Sequence, residues 1–137
     1  MQTVVDRGTG GSIRWKYKFY HPAAGKTGTT QGWTDAWFVG FSTQIAAGAW
    51  FGVDDPQVSL GKGADGTRAA LPAWARFMKT AHDSLYYSKE EFQQPEKVKT
   101  FSICQVSKEK PTPLCPLEKE LFILSTDPSR LCKIHRR

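Results

Sequence analysis

Residues 35–53 read DAWFVGFSTQIAAGAWFGV. Two runs rich in aromatic and β-branched residues, 35–42 and 45–53, meet at the polar break Ser-Thr-Gln, which is the pattern of two strands joined by a turn. We therefore predict an antiparallel hairpin here. Upstream, residues 23–30 (AAGKTGTT) predict a third strand, made of small residues, in the same sheet.

A helix is predicted after the hairpin. Apolar residues recur there every three or four positions, behind a proline that suits the first turn of a helix: Pro72, Trp74, Phe77, Met78, Ala81, Leu85 and Tyr86. The spacing predicts one amphipathic helix over roughly 72–87 and hence an α+β fold. Neither strand run alternates cleanly between apolar and polar residues, so both faces of the sheet should be covered, and one helix covers only one face. We infer that the other face packs against polypeptide absent from this sequence.

The composition changes along the chain. All 12 glycines lie at or before Gly66, whereas the 3 cysteines and 5 of the 8 prolines follow residue 90. This shift predicts one region over 1–90 and a Pro/Cys-containing tail over 91–137. Apolar residues near 101–103 and 121–124 predict short strands in the tail.

The charge pattern argues against nucleic-acid binding. The net charge of +6 comes from lysines and arginines spread along the whole chain, with no dense basic segment. A nucleic-acid interface would need them clustered on one face. No N-terminal stretch has the composition of a signal peptide, and we expect no membrane segment in this chain.

The tripeptide Lys26-Thr27-Gly28 is the main candidate for a functional motif in this sequence. It follows Gly25, but a phosphate-binding loop would also require glycine at position 20, where this chain has tyrosine, and a helix after the lysine. K-T-G is instead one of three short signatures of serine enzymes that acylate on D-alanyl peptides or β-lactams. In a strand, side chains alternate between faces, so Thr27 and Thr29 should point to one side and Lys26 and Gly28 to the other.

The surrounding sequence resembles the C-terminal part of the transpeptidase domain of class A penicillin-binding proteins. The resemblance rests on PAAGKTGTTQ (22–31), DAWFVGF (35–41), FGVDDP (51–56) and RAALPAWARFM (68–78), and it continues through the order of Cys and Pro residues in the tail. It implies a partial penicillin-binding transpeptidase fold and a serine-type D,D-transpeptidase that cross-links peptidoglycan stem peptides at the extracytoplasmic face of the bacterial cytoplasmic membrane.

The resemblance also implies roles for individual residues. Thr27 and Thr29 would bind the terminal carboxylate of a D-Ala-D-Ala stem or of a β-lactam, and the N–H of Thr29 would be an oxyanion donor. Lys26 would add positive potential, and Gly28 would let the strand approach the ligand closely. No cofactor is expected, and the partners would be the stem peptide, β-lactams and the missing N-terminal part of the domain.

The remaining machinery is missing from this sequence. The family's second motif, S-x-N, cannot occur because the chain has no asparagine. The S-x-x-K matches at Ser59 and Ser107 carry no information, because about one such match is expected by chance, and neither opens a helix ahead of K-T-G. We therefore expect the chain alone to be inactive. The alternative is a non-catalytic extracytoplasmic interaction module, or a relic of the fold.

Four residues of the tail could in principle bind zinc: Cys104, Cys115, Cys132 and His135. They lack the paired C-x2-C spacing that makes such sites convincing, so we expect no metal. For the extracytoplasmic location that the resemblance implies, a disulfide is the simpler expectation, with Cys104 to Cys115 closing the shorter loop.

Other polar and aromatic residues have simpler explanations than catalysis. Asp35 is expected to be a turn or cap carboxylate. Trp37 and Trp50 are expected to pack in the core, and Trp33 is the tryptophan that we would test for ligand contact.

Overall fold

The computed structural model describes residues 1–55 and 57–135. The chain forms two compact units, Met1–Phe92 and Gln93–Arg137. The fold is α+β with two antiparallel sheets, as the sequence predicts. Within the described part of the chain, no helix has both the length and the apolar character needed to cross a membrane.

The first unit is built on the predicted three-stranded sheet. Its strands are β1 (Ala24–Thr29), β2 (Asp35–Phe41) and β3 (Ala46–Gly52), paired antiparallel in the order β1-β2-β3. The turn after β2 is closed by Ser42, whose N–H donates to the Ile45 carbonyl at 2.8 Å. The Ser42 hydroxyl oxygen also accepts from the N–H groups of Gln44 and Ile45, so the polar break is the hairpin turn that the sequence predicts.

The helix is shorter than its spacing predicts. A π-helical turn, Gly66–Ala70, leads into α3 (Leu71–Ser84). Leu85 and Tyr86 keep the apolar spacing, but Tyr86 has a positive φ of 53° and is 91% exposed, so they lie beyond the helix. Two short helices, α1 (Gln2–Asp6) and α2 (Ser12–Trp15), precede the sheet and carry no pattern long enough to predict them.

One face of the sheet holds the core. The buried apolar residues come from the short helices, the segment between α2 and β1, β2 and the helical segment: Val5, Ile13, Phe19, Ala23, Phe38, Ala70, Leu71, Trp74, Ala75 and Met78. Burial alternates strictly along β2, although apolar residues occupy both of its faces. Trp37 and Trp50 lie on the opposite face, each 44% exposed, so the expectation that they pack in the core is wrong. α3 packs on the core face, and no helix of the described chain covers the face of Trp37 and Trp50.

A buried histidine ties the helix to the hairpin. His82 is 1% exposed, and its Nδ1 lies 2.8 Å from the Met78 carbonyl oxygen. Because a carbonyl only accepts, Nδ1 carries the proton, and Nε2 accepts from the Ser42 hydroxyl at 2.9 Å. The sequence pattern placed Phe77 in the buried stripe instead, but Phe77 is 54% exposed.

The second unit is a two-stranded sheet with long connections. Strands β4 (Val98–Cys104) and β5 (Leu117–Ile123) pair antiparallel, and the register sets Cys104 opposite Leu117. A parallel bridge pairs Lys110 with Leu131 and so places the segment around Leu131 beside the connection between β4 and β5. Short strands in the tail are therefore confirmed.

Candidate functional site

The residues Lys26 to Thr29 lie in β1, at the edge of the first sheet. β1 pairs with β2 on one side only, and the register sets Lys26 opposite Val39 and Thr29 opposite Ala36. Lys26 and Thr29 are exposed, while Thr27 and Gly28 are half-buried. The tetrapeptide is thus an extended, accessible edge and not the start of a helix.

The direction of the backbone hydrogen bonds shows which amides face the open edge. The N–H of Gly25 donates to the Met1 carbonyl at 3.4 Å, outside the sheet, whereas the N–H of Thr30 donates to the Asp35 carbonyl at 3.1 Å, at the β2 side. Since amides alternate along a strand, the N–H groups of Thr27 and Thr29 point to the open edge with that of Gly25. Both are positioned to donate to a ligand laid along β1.

The two threonine side chains lie on the face of the sheet that meets the π-helical turn. The Thr29 hydroxyl oxygen accepts from the Gly66 N–H at 3.1 Å. A Cβ added at Gly66 would lie 3.1 Å from the Thr27 Cβ, so the turn contacts both threonines. The predicted alternation therefore holds, and the Thr29 hydroxyl proton is left to donate elsewhere.

Gly66 fixes how closely that turn approaches the strand. An added Cβ there would lie 2.3 Å from the Trp37 carbonyl oxygen and 2.9 Å from the Gly28 carbonyl oxygen. These are backbone atoms of two paired strands, which cannot rotate away. Asp65, just before it, accepts from the N–H groups of Thr67 and Arg68 at 2.9 Å and holds the turn in place.

We expect Gly66→Ala to lower the free energy of unfolding of the first unit by about 1–3 kcal/mol, because the methyl group forces the turn off β1 and β2. Gly48→Ala is the matched control, since its added Cβ meets only the Val39 Cγ2 at 3.7 Å, an ordinary contact. That variant should be neutral or slightly more stable, by up to about 1 kcal/mol. Urea unfolding followed by tryptophan fluorescence measures both, and equal effects would contradict the close approach.

Two further groups lie at the open edge of β1. The Lys26 ammonium donates to the carbonyl oxygen of Thr27 at 2.9 Å, which brings its charge along the edge. The Thr9 hydroxyl lies 3.5 Å from that of Thr27. A positive charge, hydroxyl groups and outward amides at one edge form an arrangement that can bind a carboxylate next to a polarised carbonyl.

Sequence reasoning missed the contacts of Thr9, Gly66 and Met1 with this strand, since all three depend on tertiary approach. The Asp65-Gly66-Thr67 string is typical of a helix start and could have indicated the turn.

The other polar residues singled out in the sequence have structural roles. Asp35 accepts from the Trp50 indole N–H at 2.8 Å and from the Thr34 hydroxyl at 3.1 Å. The Ser59 hydroxyl donates to the Gly32 carbonyl at 2.6 Å, in a loop.

The second unit brings its cysteines and one histidine together. All three cysteines are free and buried, and their sulfurs lie within 4.8 Å of one another and of a ring nitrogen of His135. Hydrogen bonds from the Ser107 side chain and then from His135 lower the pKa of Cys132 to about 5. The hydrogen bond to Cys132 raises the pKa of His135, while burial raises the pKa of Cys115. The disulfide expected between Cys104 and Cys115 is absent from the described structure.

This chain is similar in sequence to penicillin-binding protein 1A of several bacteria. The family described as "Penicillin-binding protein 1A, C-terminal domain" matches residues 94–137. Penicillin-binding protein 1A of Aquifex aeolicus is 50% identical over 72 residues, which are 53% of this chain and 10% of that protein. Penicillin-binding protein 1A of Clostridium tetani is 34% identical over 133 residues, which are 93% of this chain and 16% of that protein.

A solved structure extends the match to the fold. The crystal structure of penicillin-binding protein 1A from Haemophilus influenzae superposes with a TM-score of 0.79 at 31% identity, over 91% of this chain and 18% of that chain. The chain therefore spans less than a fifth of the length of these relatives. Their shared sequence and fold, on both sides of the K-T-G-T strand, show that this chain belongs to the class A penicillin-binding proteins and corresponds to the C-terminal part of one.

Proposed function

We propose that this chain supplies one wall of the active site of a serine-type D,D-transpeptidase, which cross-links peptidoglycan stem peptides through an acyl-enzyme. The observation that carries the proposal is the open edge of β1, where Lys26, Thr27 and Thr29 stay accessible and the N–H groups of Thr27 and Thr29 point outward. The parent protein would act at the extracytoplasmic face of the cytoplasmic membrane.

The substrate would bind as an added strand along this edge. An extended peptide end pairs with exposed backbone groups, and the side chains beside them then set its register. The hydroxyls of Thr27 and Thr29 would donate to the terminal carboxylate of a D-Ala-D-Ala stem, or to that of a β-lactam. Lys26 would add the positive charge that strengthens these hydrogen bonds.

The backbone of Thr29 would act on the reacting carbonyl. Its outward N–H would donate to the oxygen on which negative charge develops during attack, which stabilises the transition state more than the ground state. The Gly66 contact would hold Thr29 in place while this occurs. The attacking serine and its base would come from polypeptide outside this sequence, because the chain has no S-x-N motif and Ser59 lies in a loop.

The experiment uses a chimera in which this chain replaces the corresponding C-terminal part of the Haemophilus influenzae relative. We expect a fluorescent penicillin to label the chimera covalently, with a label that hydroxylamine removes. We expect no labelling of the chain alone. Thr27→Val should slow acylation roughly 10–100-fold, because a hydrogen bond to a charged group contributes about 1.5–3 kcal/mol.

The matched control is Thr100→Val, an exposed strand threonine of the second unit, which should leave the acylation rate unchanged. A folded chimera that the penicillin does not label would contradict the transpeptidase proposal and favour a non-catalytic module. Labelling of the isolated chain would contradict the assignment of the nucleophile to other polypeptide.

A further inference from the structure

The cysteines and the histidine of the second unit are brought together by its backbone, although they are far apart in sequence. Cys104 ends β4, and Cys115 lies two residues before β5, at the same end of the sheet. The Gln105 N–H donates to the Pro116 carbonyl at 2.9 Å and joins these two segments. The pairing of these two segments therefore places the thiols of Cys104 and Cys115 at the same end of the sheet.

The third thiol comes from the C-terminal segment. The Lys110 N–H donates to the Arg130 carbonyl and the Cys132 N–H to the Lys110 carbonyl, each at 2.9 Å. His135 follows after two residues, and the Thr112 hydroxyl donates to its carbonyl at 2.7 Å. Cys132 and His135 therefore form a short C-x2-H pair that faces the other two cysteines.

Three of these groups are separated by distances close to those of a tetrahedral metal site, and the Cys115 sulfur lies within 4.8 Å of each of them. The sulfurs of Cys104 and Cys132 are 3.6 Å apart, and the His135 Nδ1 lies 3.4 Å from the first and 3.5 Å from the second. Around a tetrahedral zinc ion, the bond lengths to sulfur and nitrogen place two sulfurs about 3.7 Å apart and a sulfur and a nitrogen about 3.6 Å apart. A disulfide needs only two sulfurs, at about 2.0 Å, and would leave the other two groups without a role.

The sulfurs also receive hydrogen bonds that would orient them as ligands. The Thr112 N–H donates to the Cys115 sulfur at 3.2 Å, and the Ser107 N–H donates to the Cys104 sulfur at 3.5 Å. Backbone N–H groups pointing at cysteine sulfurs are the kind of outer partner that supports a metal-bound thiolate.

The rest of the second unit offers little to hold it together. Among its described residues, the buried apolar side chains are Ile103 and the three cysteines. Most of its aliphatic side chains are exposed: Val106, Leu114, Leu117, Leu121, Ile123, Leu124, Leu131 and Ile134. Units this small with so few buried apolar groups usually depend on a disulfide or a structural metal.

We propose that Cys104, Cys115, Cys132 and His135 bind one zinc ion through their sulfurs and the His135 Nδ1. Three thiolates and one imidazole fill all four positions of a tetrahedral site, so the ion is structural and has no open position for a substrate. This departs from the expectation drawn from spacing alone, because spacing did not show that the C-x2-H pair meets two distant cysteines.

The test is made on the full chain, purified in a reductant with zinc supplied. We expect one zinc per chain by mass spectrometry of the metal, and visible absorption of tetrahedral thiolate type when cobalt replaces zinc. Cys115→Ser and His135→Gln should each weaken zinc affinity more than about 100-fold, since even residues that only orient a ligand contribute about 10–100-fold. His21→Gln, a histidine of the first unit, is the matched control and should keep the full zinc content.

Amide hydrogen exchange distinguishes a structural zinc site from non-specific zinc binding. Chelation should abolish amide-exchange protection in β4 and β5, while β1 to β3 stay protected, because the metal provides folding energy to the second unit only. The proposal is overturned if the reduced chain retains no zinc, if the ligand variants retain as much as His21→Gln, or if chelation leaves β4 and β5 protected.

Discussion

Replacing Trp74 by alanine is expected to lower the free energy of unfolding of the first unit by about 3–5 kcal/mol. Trp74 is 1% exposed, and its ring packs against those of Phe38 at 4.9 Å and Phe19 at 6.0 Å, so truncation leaves a large cavity between helix and sheet. Its indole N–H also donates to the Ala47 carbonyl at 3.0 Å, a bond that alanine cannot make.

Chemical denaturation measured by tryptophan fluorescence tests this prediction, because all five tryptophans lie at or before Trp74 and report on the first unit. Phe77→Ala is the matched control, an aromatic residue on the same helix that is 54% exposed. It should change stability by less than about 0.5 kcal/mol. If Trp74→Ala is already unfolded in buffer, Trp74→Phe gives a measurable intermediate loss. Equal effects at Trp74 and Phe77 would refute the observed burial.

The second large effect concerns the backbone of Thr29 and rests on the proposed function. In the chimera, Thr29→Pro should slow penicillin acylation about 100–1000-fold relative to Thr29→Val, because losing one oxyanion donor typically costs that much. Both variants lack the hydroxyl, so the difference between them reports the replacement of the outward N–H by the proline ring. Proline should be tolerated at this position, since the Thr29 N–H points away from β2 and an edge strand can accommodate proline there.

Acylation rates from the time course of fluorescent labelling provide the measurement, with thermal unfolding to verify that both variants are folded. A rate for Thr29→Pro equal to that of Thr29→Val, in folded protein, would show that this amide does not contact the reacting carbonyl. The Thr27→Val series would still test carboxylate binding independently, because it changes a side chain and leaves every amide in place.

Local features of the fold follow from sequence because they depend on neighbours along the chain. The hairpin is one such feature, since strand-forming runs flank a turn that Ser42 closes with its own hydroxyl. The start of α3 is another, because Pro72 lies in its first turn. The end of α3 cannot be predicted in this way, because Leu85 and Tyr86 continue the apolar spacing although the helix ends at Ser84.

Which aromatic residues are buried depends on which face the helix covers. Apolar residues occur on both faces of β2, so the pattern could not separate Phe38, which is buried, from Trp37, which is exposed. Similarly, the helical stripe suggested Phe77 where the structure buries His82, whose ring is satisfied by the distant Ser42. A polar residue in the core depends on a hydrogen-bond partner that spacing does not reveal.

The α+β class, the three strands and the family can all be predicted from the amino-acid sequence, because they depend on short-range periodicity and on short motifs. Three features become visible only in the folded chain: which edge of β1 is open, the contact of Gly66 with that strand, and the convergence of four ligand atoms in the second unit. They arise from contacts between segments that are far apart in sequence, and the spacing of residues along one segment does not predict such contacts.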